Sequence, residues 1–309
     1  MTNPRRNFLK QSATLGAALC LPSLPSFDAN AAPLRSGYEL VVLATNWGFN
    51  GSIASFCKAA KDAGYDGIEI WWPREEAAQK ELFAALKENN LAVGYLAAGY
   101  DSNFEKHQQQ FTSMLQAAAG AREIKPLYIN CHSGRDYFTF EQNCKLIDTS
   151  LQIGKQSGVP VYHETHRSRM LFAAHIAQQF IAAKPDLRLT LDISHWCNVA
   201  ESLLGDQTAT VEKALSRTSH IHARVGHPEG PQVNDPRAPE WEHAVKAHFS
   251  WWDNVVAQHR AAGKRLTFLT EFGPADYLPA LPYTRQPLAD QWDINVYMLQ
   301  QLKKRYGNK

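Results

Sequence analysis

The sequence predicts an α/β fold, a (β/α)8 TIM barrel that forms a single domain after an N-terminal signal peptide. Short runs of β-branched and apolar residues alternate with amphipathic helical patterns along most of the chain. Eight such units can be counted, and eight parallel βα units close into a barrel. Several runs end in a carboxylate or a histidine, where barrel enzymes hold their catalytic groups. The predicted strands cover 39–47, 67–72, 92–99, 126–132, 160–166, 187–194, 219–225 and 265–271.

The segments between these runs carry apolar residues at helical spacing. The first ends at Gly64, a residue that readily adopts the left-handed backbone found at helix ends. No glycine-rich phosphate loop follows the first strand, which disfavours the alternative of an open doubly wound sheet. The predicted helices cover 52–64, 75–90, 104–120, 138–158, 171–184, 208–218, 241–263 and 288–306.

The N-terminus has the pattern of a twin-arginine signal peptide. Arg5 and Arg6 are followed by an apolar stretch at 13–21 and by the small-x-small sequence at 29–31, with cleavage expected after Ala31 or Ala32. The apolar stretch is too short to span a bilayer. The sequence therefore predicts that the twin-arginine machinery exports the precursor to the periplasm or the exterior, with no membrane segment in the mature form. The predicted domains are a signal peptide at 1–32 and a barrel at 33–309.

The charge of the mature chain is balanced. Residues 1–31 contain three basic residues and one acidic residue, so the remainder holds 29 of each sign. A neutral chain lacks the basic surface that attracts nucleic acids or anionic membranes. The remaining cysteines form no CxxC pair, and we expect buried thiols in place of a disulfide framework. These cysteines are Cys57, Cys131, Cys144 and Cys197.

Four residues at the ends of predicted strands form a candidate metal site. They are separated by 28, 30 and 49 residues, whereas one βα unit takes about 30 residues, so they reach the same end of the barrel. Three carboxylates and one imidazole favour a divalent cation, with Mn²⁺ preferred and Mg²⁺, Co²⁺ or Zn²⁺ acceptable. The alternative for Glu164 is an ion pair with a nearby arginine, and the alternative for Asp192 is a helix cap. The candidate ligands are Glu164, Asp192, His222 and Glu271.

Five further residues near the same strand ends are candidate substrate contacts. His195 lies in a predicted polar loop, and it either reaches over the site or bonds to the loop backbone. Arg224 either holds a substrate oxygen or pairs with Glu164 or Glu229. His132 either contacts substrate or faces solvent. The remaining candidates are His166, which points inward from the fifth strand, and Trp47, whose indole suits the apolar face of a sugar.

The motifs around the candidate ligands resemble those of the sugar phosphate isomerase/epimerase superfamily, the xylose isomerase-like barrels. The matching pieces are HETH around Glu164, LDISHW with Asp192, SHIH with His222 and LTEFGP with Glu271. The resemblance extends over essentially all of 38–306. It implies that these four residues bind a divalent metal, and that the two glutamates also move the proton.

The resemblance implies a divalent-metal-dependent sugar isomerase or epimerase. Such an enzyme abstracts a proton next to a carbonyl through a metal-bound enediolate. However, Met170 and Pro228 stand where ketose 3-epimerases carry a substrate-contacting Glu and Arg. This departure disfavours a free-hexulose 3-epimerase.

Other functions remain as alternatives. One alternative is a lyase that cleaves 3-keto-glycosides by β-elimination at the same metal site. A non-catalytic sugar-binding barrel is a less favoured alternative, because binding alone does not need two bases. An abasic-site endonuclease is disfavoured by the neutral charge, the export signal and too few ligands for a multi-zinc cluster. The expected partner is therefore a small-molecule sugar or keto-glycoside, and a homo-oligomer is compatible with the sequence.

Overall fold

The structure, a computed structural model, describes residues 37–307, in which eight parallel strands alternate with helices. The strands follow one another around a closed barrel in chain order, and the last pairs with the first. The predicted TIM barrel is confirmed, whereas the predicted signal peptide lies outside the described residues. The strands are β1 Glu39–Thr45, β2 Gly67–Trp71, β3 Ala92–Ala98, β4 Ile129–His132, β5 Val161–Glu164, β6 Leu189–Leu191, β7 Thr218–His222 and β8 Arg265–Thr270.

Several helices begin or end at residues that satisfy terminal backbone groups. Thr139 and Gln142 form a reciprocal capping box at the start of α4, and Gly64 ends α1 with a φ of 93°, where glycine is favoured. No helix within 37–307 is long and apolar enough to cross a membrane. The helices are α1 Ile53–Ala63, α2 Glu76–Asn89, α3 Phe104–Ala119, α4 Phe140–Ser157, α5 Ala174–Ala183, α6 Ile193–Val199, α7 Thr208–Leu215, α8 Glu242–Ala262 and α9 Gln291–Tyr306.

The region after β6 differs from the prediction. The sequence pattern predicts a strand to residue 194 and then a polar loop, but β6 ends at Leu191 and α6 begins at Ile193. Asp192 caps this helix, because its Oδ1 atom accepts a hydrogen bond of 3.1 Å from the backbone N–H of Ser194. The predicted polar loop is therefore wrong, and His195 lies on a short buried helix.

The apolar core has two layers. The larger layer fills the space between the strands and the surrounding helices. The smaller layer lies inside the barrel, where Val41, Leu43, Tyr128 and Leu269 pack together with Tyr162 against them. Full burial of one such side chain stabilises the fold by about 1.5–3 kcal/mol. This inner layer forms a floor beneath the carboxyl ends of the strands.

The cysteines behave as the sequence predicts. Each of the four described cysteines is buried and free of a disulfide. Burial raises the pKa of the Cys57 thiol to about 11, which suppresses the reactive thiolate. These residues therefore act as small apolar side chains.

Candidate active site at the carboxyl ends of the strands

The four predicted ligands meet at one rim of the barrel. Glu164 and His222 are the last residues of β5 and β7, while Asp192 and Glu271 directly follow β6 and β8. One ligand atom from each residue lies within 4.8 Å of the others, and all four side chains are buried. The structure thus brings together the residues that strand-end spacing predicts, because parallel strands deliver their carboxyl ends to the same rim.

Three atoms of this cluster lack hydrogen-bond partners. They are Oε1 of Glu164, Nδ1 of His222 and Oε2 of Glu271. A buried polar atom without a partner costs about 1–3 kcal/mol, more when it is charged. A divalent cation among them would satisfy all three, and oxygen donors with one imidazole are a common donor set for such ions. The residues therefore fit a divalent metal.

A second carboxylate orients the imidazole of His222. Its Nε2 atom lies 3.1 Å from Oε1 of Glu69 on β2 and 3.2 Å from the amide nitrogen of Asn130. Its Nδ1 atom faces carboxylate oxygens of Glu164 and Glu271, at 3.7 and 2.9 Å. A cation bound there would take the lone pair of Nδ1 and leave the ring N–H on Nε2, directed to Glu69. Metal-binding histidines commonly have such a carboxylate on the other ring nitrogen.

Glu69 is in turn held by groups in the barrel interior. Its Oε2 atom accepts a 2.6 Å hydrogen bond from the hydroxyl of Tyr128, and that hydroxyl lies 3.0 Å from Nε2 of His220. Burial alone would raise the pKa of Glu69, but the adjacent His222 and His220 lower it well below its usual range. Glu69 is therefore an ionised carboxylate in the barrel interior.

Charge coupling shifts the pKa values of the cluster itself. Burial would lower the pKa of His222, but Glu271, Glu164 and Glu69 together hold it well above its usual value. Burial would raise the pKa of Glu164, but His132 and His222 hold it well below its usual value. For Asp192, burial dominates over the attraction of a nearby arginine and raises the pKa to about 6.

Arg224 is buried beside the cluster, as the sequence predicts for a residue near the site. It forms ion pairs with Asp192 and, at 3.5 Å, with Oε2 of Glu271. The alternative of a pair with Glu164 or Glu229 is wrong, because the guanidinium turns toward β6 and β8. Burial would lower the pKa of Arg224, but the negative charges of Asp192 and Glu271 raise it.

His195 reaches the site from α6. Its Nε2 atom accepts a 2.9 Å hydrogen bond from Arg224, so the proton resides on Nδ1. That Nδ1 atom is buried and has no partner. The alternative of a bond to the loop backbone is therefore wrong, and His195 holds an unused donor. The ring contacts that of His166 near the same rim, with 3.9 Å between the ring centroids and an angle of 46° between the ring planes.

His132 contacts the cluster directly. Its Nε2 atom lies 2.5 Å from Oε2 of Glu164, and its side chain is 13% exposed. A solvent-facing rim histidine, the alternative from sequence, is therefore wrong. Because Glu164 is paired with His132 and His222, the alternative of an ion pair with Arg167 or Arg169 is wrong as well.

Aromatic rings surround the mouth of the site. Trp47 follows β1, is 37% exposed and packs edge-on against Tyr277 at 4.9 Å between ring centroids. The guanidinium groups of Arg224 and Arg167 lie 4.8 and 5.0 Å from the centre of the Tyr277 ring. Tyr277 is missed by sequence reasoning because it lies in the long segment between β8 and α9, which has no periodic pattern. The role of Trp47 as a substrate contact stays a prediction.

Solved structures with the same fold have low sequence identity to this chain. A 3-keto-D-glucoside 4-epimerase from E. coli is 18% identical, with a TM-score of 0.58 over 86% of this chain and 100% of that one. A D-tagatose 3-epimerase-like protein is 12% identical, with a TM-score of 0.55 over 87% and 96%. The IOLI protein with a bound zinc atom is 14% identical, with a TM-score of 0.58 over 86% and 99%. These similarities support the fold.

Sequence comparison identifies the family. No curated protein matches the chain in sequence. Residues 57–246, more than half of the chain, match the model of the xylose isomerase-like TIM barrel family. This stretch contains three of the four predicted ligands, and the closed barrel agrees with the match. The chain belongs to the xylose isomerase-like TIM barrel family.

Proposed function

We propose that the chain is a divalent-metal-dependent sugar isomerase or epimerase that moves a proton next to a carbonyl. The observation that carries this proposal is the pair of glutamates. Glu164 and Glu271 each present a buried carboxylate oxygen to the region around Nδ1 of His222, from the ends of strands on different sides of the barrel. Two bases at one site suit a reaction that removes a proton and returns it elsewhere.

The side chains of the cluster would hold the cation and act as acid and base. Glu164, Asp192, His222 and Glu271 are the residues that would bind it. A divalent cation supplies Lewis acidity that lowers the pKa of a C–H bond beside a carbonyl. One glutamate removes this proton. The other glutamate returns a proton to the opposite face of that carbon in epimerisation, or to the neighbouring carbon in isomerisation.

Neighbouring side chains would position the reacting groups. His132 holds Oε2 of Glu164, which leaves Oε1 directed into the site. The unpartnered Nδ1–H of His195 is placed to donate to a substrate hydroxyl. Arg224 fixes Asp192 and Glu271 and adds positive charge where negative charge develops on the substrate oxygen. His166 and Trp47 would complete the substrate contacts.

The comparisons support an enzyme of this class. Two of the similar folds belong to a keto-glucoside epimerase and a tagatose-epimerase-like protein, and a third contains zinc. Mn²⁺ remains our preferred cation for this donor set. We further propose that the substrate is a small sugar met in the periplasm or outside the cell, after export by the twin-arginine route.

A 3-keto-glycoside lyase is the second candidate. Met170, at the position where ketose 3-epimerases carry a substrate-binding Glu, is buried in the apolar core and offers no polar contact. Pro228, at the position of their Arg, likewise has no charged group. Without these contacts, the same proton abstraction could expel a group at the β-carbon in place of reprotonation.

One experiment separates these candidates. The mature chain is loaded with Mn²⁺ and incubated in D2O with ketoses and with 3-keto-glycosides, and the products are followed by NMR. Deuterium uptake beside the carbonyl without loss of the aglycone supports the isomerase or epimerase. Release of the aglycone supports the lyase. If neither occurs with any substrate, a non-catalytic sugar-binding barrel becomes the better explanation.

A further inference from the structure

Two arginines at the mouth of the barrel lack a carboxylate partner. Arg135 follows β4 by three residues and Arg169 follows β5 by five, and both are half-buried. Within residues 37–307, no carboxylate forms an ion pair with either side chain. The neighbouring Asp136 is exposed and does not contact them as an ion pair. By contrast, Arg224 beside the cluster contacts two carboxylates.

The contacts that these two arginines do make are with neutral groups. One terminal nitrogen of Arg135 donates to the backbone oxygen of Tyr100 at 2.8 Å. One terminal nitrogen of Arg169 donates to the backbone and side-chain oxygens of Ser168 at 3.3 and 3.2 Å. The Nε atoms of both arginines are buried and have no partner. Since each guanidinium has five N–H donors, most of these donors make no hydrogen bond to residues 37–307.

The two positive charges also oppose each other. Burial lowers the pKa of Arg169, and the charge of Arg135 lowers it further. Glu164 and Asp136 compensate only in part. A half-buried cation beside a like charge raises the free energy of the folded chain unless an anion joins it. The arrangement is therefore preorganised for a negatively charged ligand.

This pair is continuous with the candidate active site. His132 contacts Glu164, and the ring of Trp71 lies 5.3 Å from the ring of His132. The ring of Tyr100 lies 6.1 Å from that of Trp71, and the backbone of Tyr100 binds Arg135. Trp71 is 39% exposed, so a sugar ring could stack on it between the two sites. Contacts between neighbouring side chains therefore connect the candidate metal cluster to Arg135 along the mouth of the barrel.

We propose that Arg135 and Arg169 form an oxyanion-binding subsite, and that the substrate is a sugar bearing a carboxylate or phosphate away from its reacting carbon. Planar guanidinium groups match both anions through paired hydrogen bonds. The assignment of this anion to the substrate rests on the proposed function, whereas anion binding at the subsite does not. The subsite concentrates positive charge at the mouth of the barrel, although residues 32–309 hold 29 basic and 29 acidic residues.

The test compares three ligands that share one sugar ring. D-glucose, D-glucuronate and D-glucose 6-phosphate are titrated calorimetrically into the mature chain, both metal-loaded and chelator-treated. At least one anionic ligand should bind about tenfold or more tightly than glucose in both forms, and its identity distinguishes carboxylate from phosphate. Arg135→Gln and Arg169→Gln should each remove most of this preference. Arg122→Gln is the control, because it removes the same single positive charge at an exposed residue between α3 and β4. It should leave the anion preference unchanged.

Two results would overturn the subsite. One is equal affinity of the unmodified chain for all three ligands, including no measurable binding of any. The other is an unchanged anion preference in both Gln variants. If a Gln variant does not fold, Arg→Lys at the same position keeps the charge and should give intermediate affinity, because Lys lacks the planar fork. Failure of deuterium exchange despite anion binding would refute the proposed reaction and leave the subsite intact.

Discussion

Nδ1 of His222 lies 2.9 Å from Oε2 of Glu271, at the distance of an ion pair between two buried side chains. The surrounding carboxylates hold the pKa of this histidine well above its usual value, against the effect of burial. Without a metal, the imidazole therefore carries a proton in the region where a cation would bind. The proton and the cation compete for the same electron pair.

This competition predicts proton release when the cation binds. At pH 7 we expect about one proton to leave His222, so the apparent affinity should rise about tenfold for each pH unit. Asp192, with a pKa raised to about 6, should add a second proton below pH 6 and steepen the dependence. Calorimetry with Mn²⁺ in two buffers of different ionisation enthalpy measures the number. An affinity independent of pH would contradict this account.

Glu69 should tune the affinity for metal through His222. Glu69→Gln removes the negative charge behind the imidazole but keeps the side-chain shape. The affinity for Mn²⁺ should fall about tenfold or more, as for other carboxylates that support a metal-bound histidine. Tyr128→Phe, which removes one hydrogen bond to Glu69 and leaves its charge, is the matched control and should have a smaller effect. Equal affinities in all three proteins would exclude this positioning role.

Substitution of the two glutamates separates catalysis from metal binding. Glu164→Gln and Glu271→Gln each keep an oxygen donor but remove the base. Each variant should retain measurable affinity for Mn²⁺ and lose proton exchange by ~10²–10⁴-fold. Asp192→Asn, at a residue with no proposed role in proton transfer, should mainly weaken metal affinity. The two-glutamate mechanism fails if both Gln variants exchange deuterium at the original rate with metal bound.

The indole of Trp47 packs directly against the backbone of Gly273 at the mouth of the barrel. A Cβ atom on Gly273 would lie 2.3 Å from two ring atoms of Trp47, so Gly273→Ala must displace the indole. If Trp47 binds the substrate, KM should rise about tenfold with a smaller change in kcat. Gly205→Ala, where nothing lies within 4 Å of the new Cβ, is the control. An unchanged KM in Gly273→Ala would exclude Trp47 as a contact.

Export by the twin-arginine route stays a prediction. Replacement of Arg5 and Arg6 by lysine should retain the precursor in the cytoplasm in a folded form. Immunoblotting of cell fractions measures the distribution, and chelator-sensitive Mn²⁺ binding by the retained form checks its folding. Efficient appearance of the Lys-Lys form in the periplasm would show that another route exports it.

The sequence predicts the features that recur in each βα unit of the barrel, such as residues at strand ends. It does not predict contacts that depend on how individual side chains pack. Strand-end spacing is sufficient to bring Glu164 and His222 together, because each βα unit returns the chain to the same rim. The partners of Arg224 depend on where its guanidinium turns among several carboxylates, which spacing does not encode. Tyr277 comes from a long segment without periodicity, so no pattern predicts that it reaches the mouth.

Asp192 connects the chemistry of the rim to the integrity of a helix. One of its carboxylate oxygens caps α6, while the other pairs with Arg224. A ligand or cation that binds this carboxylate must therefore change the free energy of local unfolding of the first turn of α6. The rate of hydrogen–deuterium exchange of the α6 amides should then report whether the site is occupied. This measurement needs neither a known substrate nor a completed reaction.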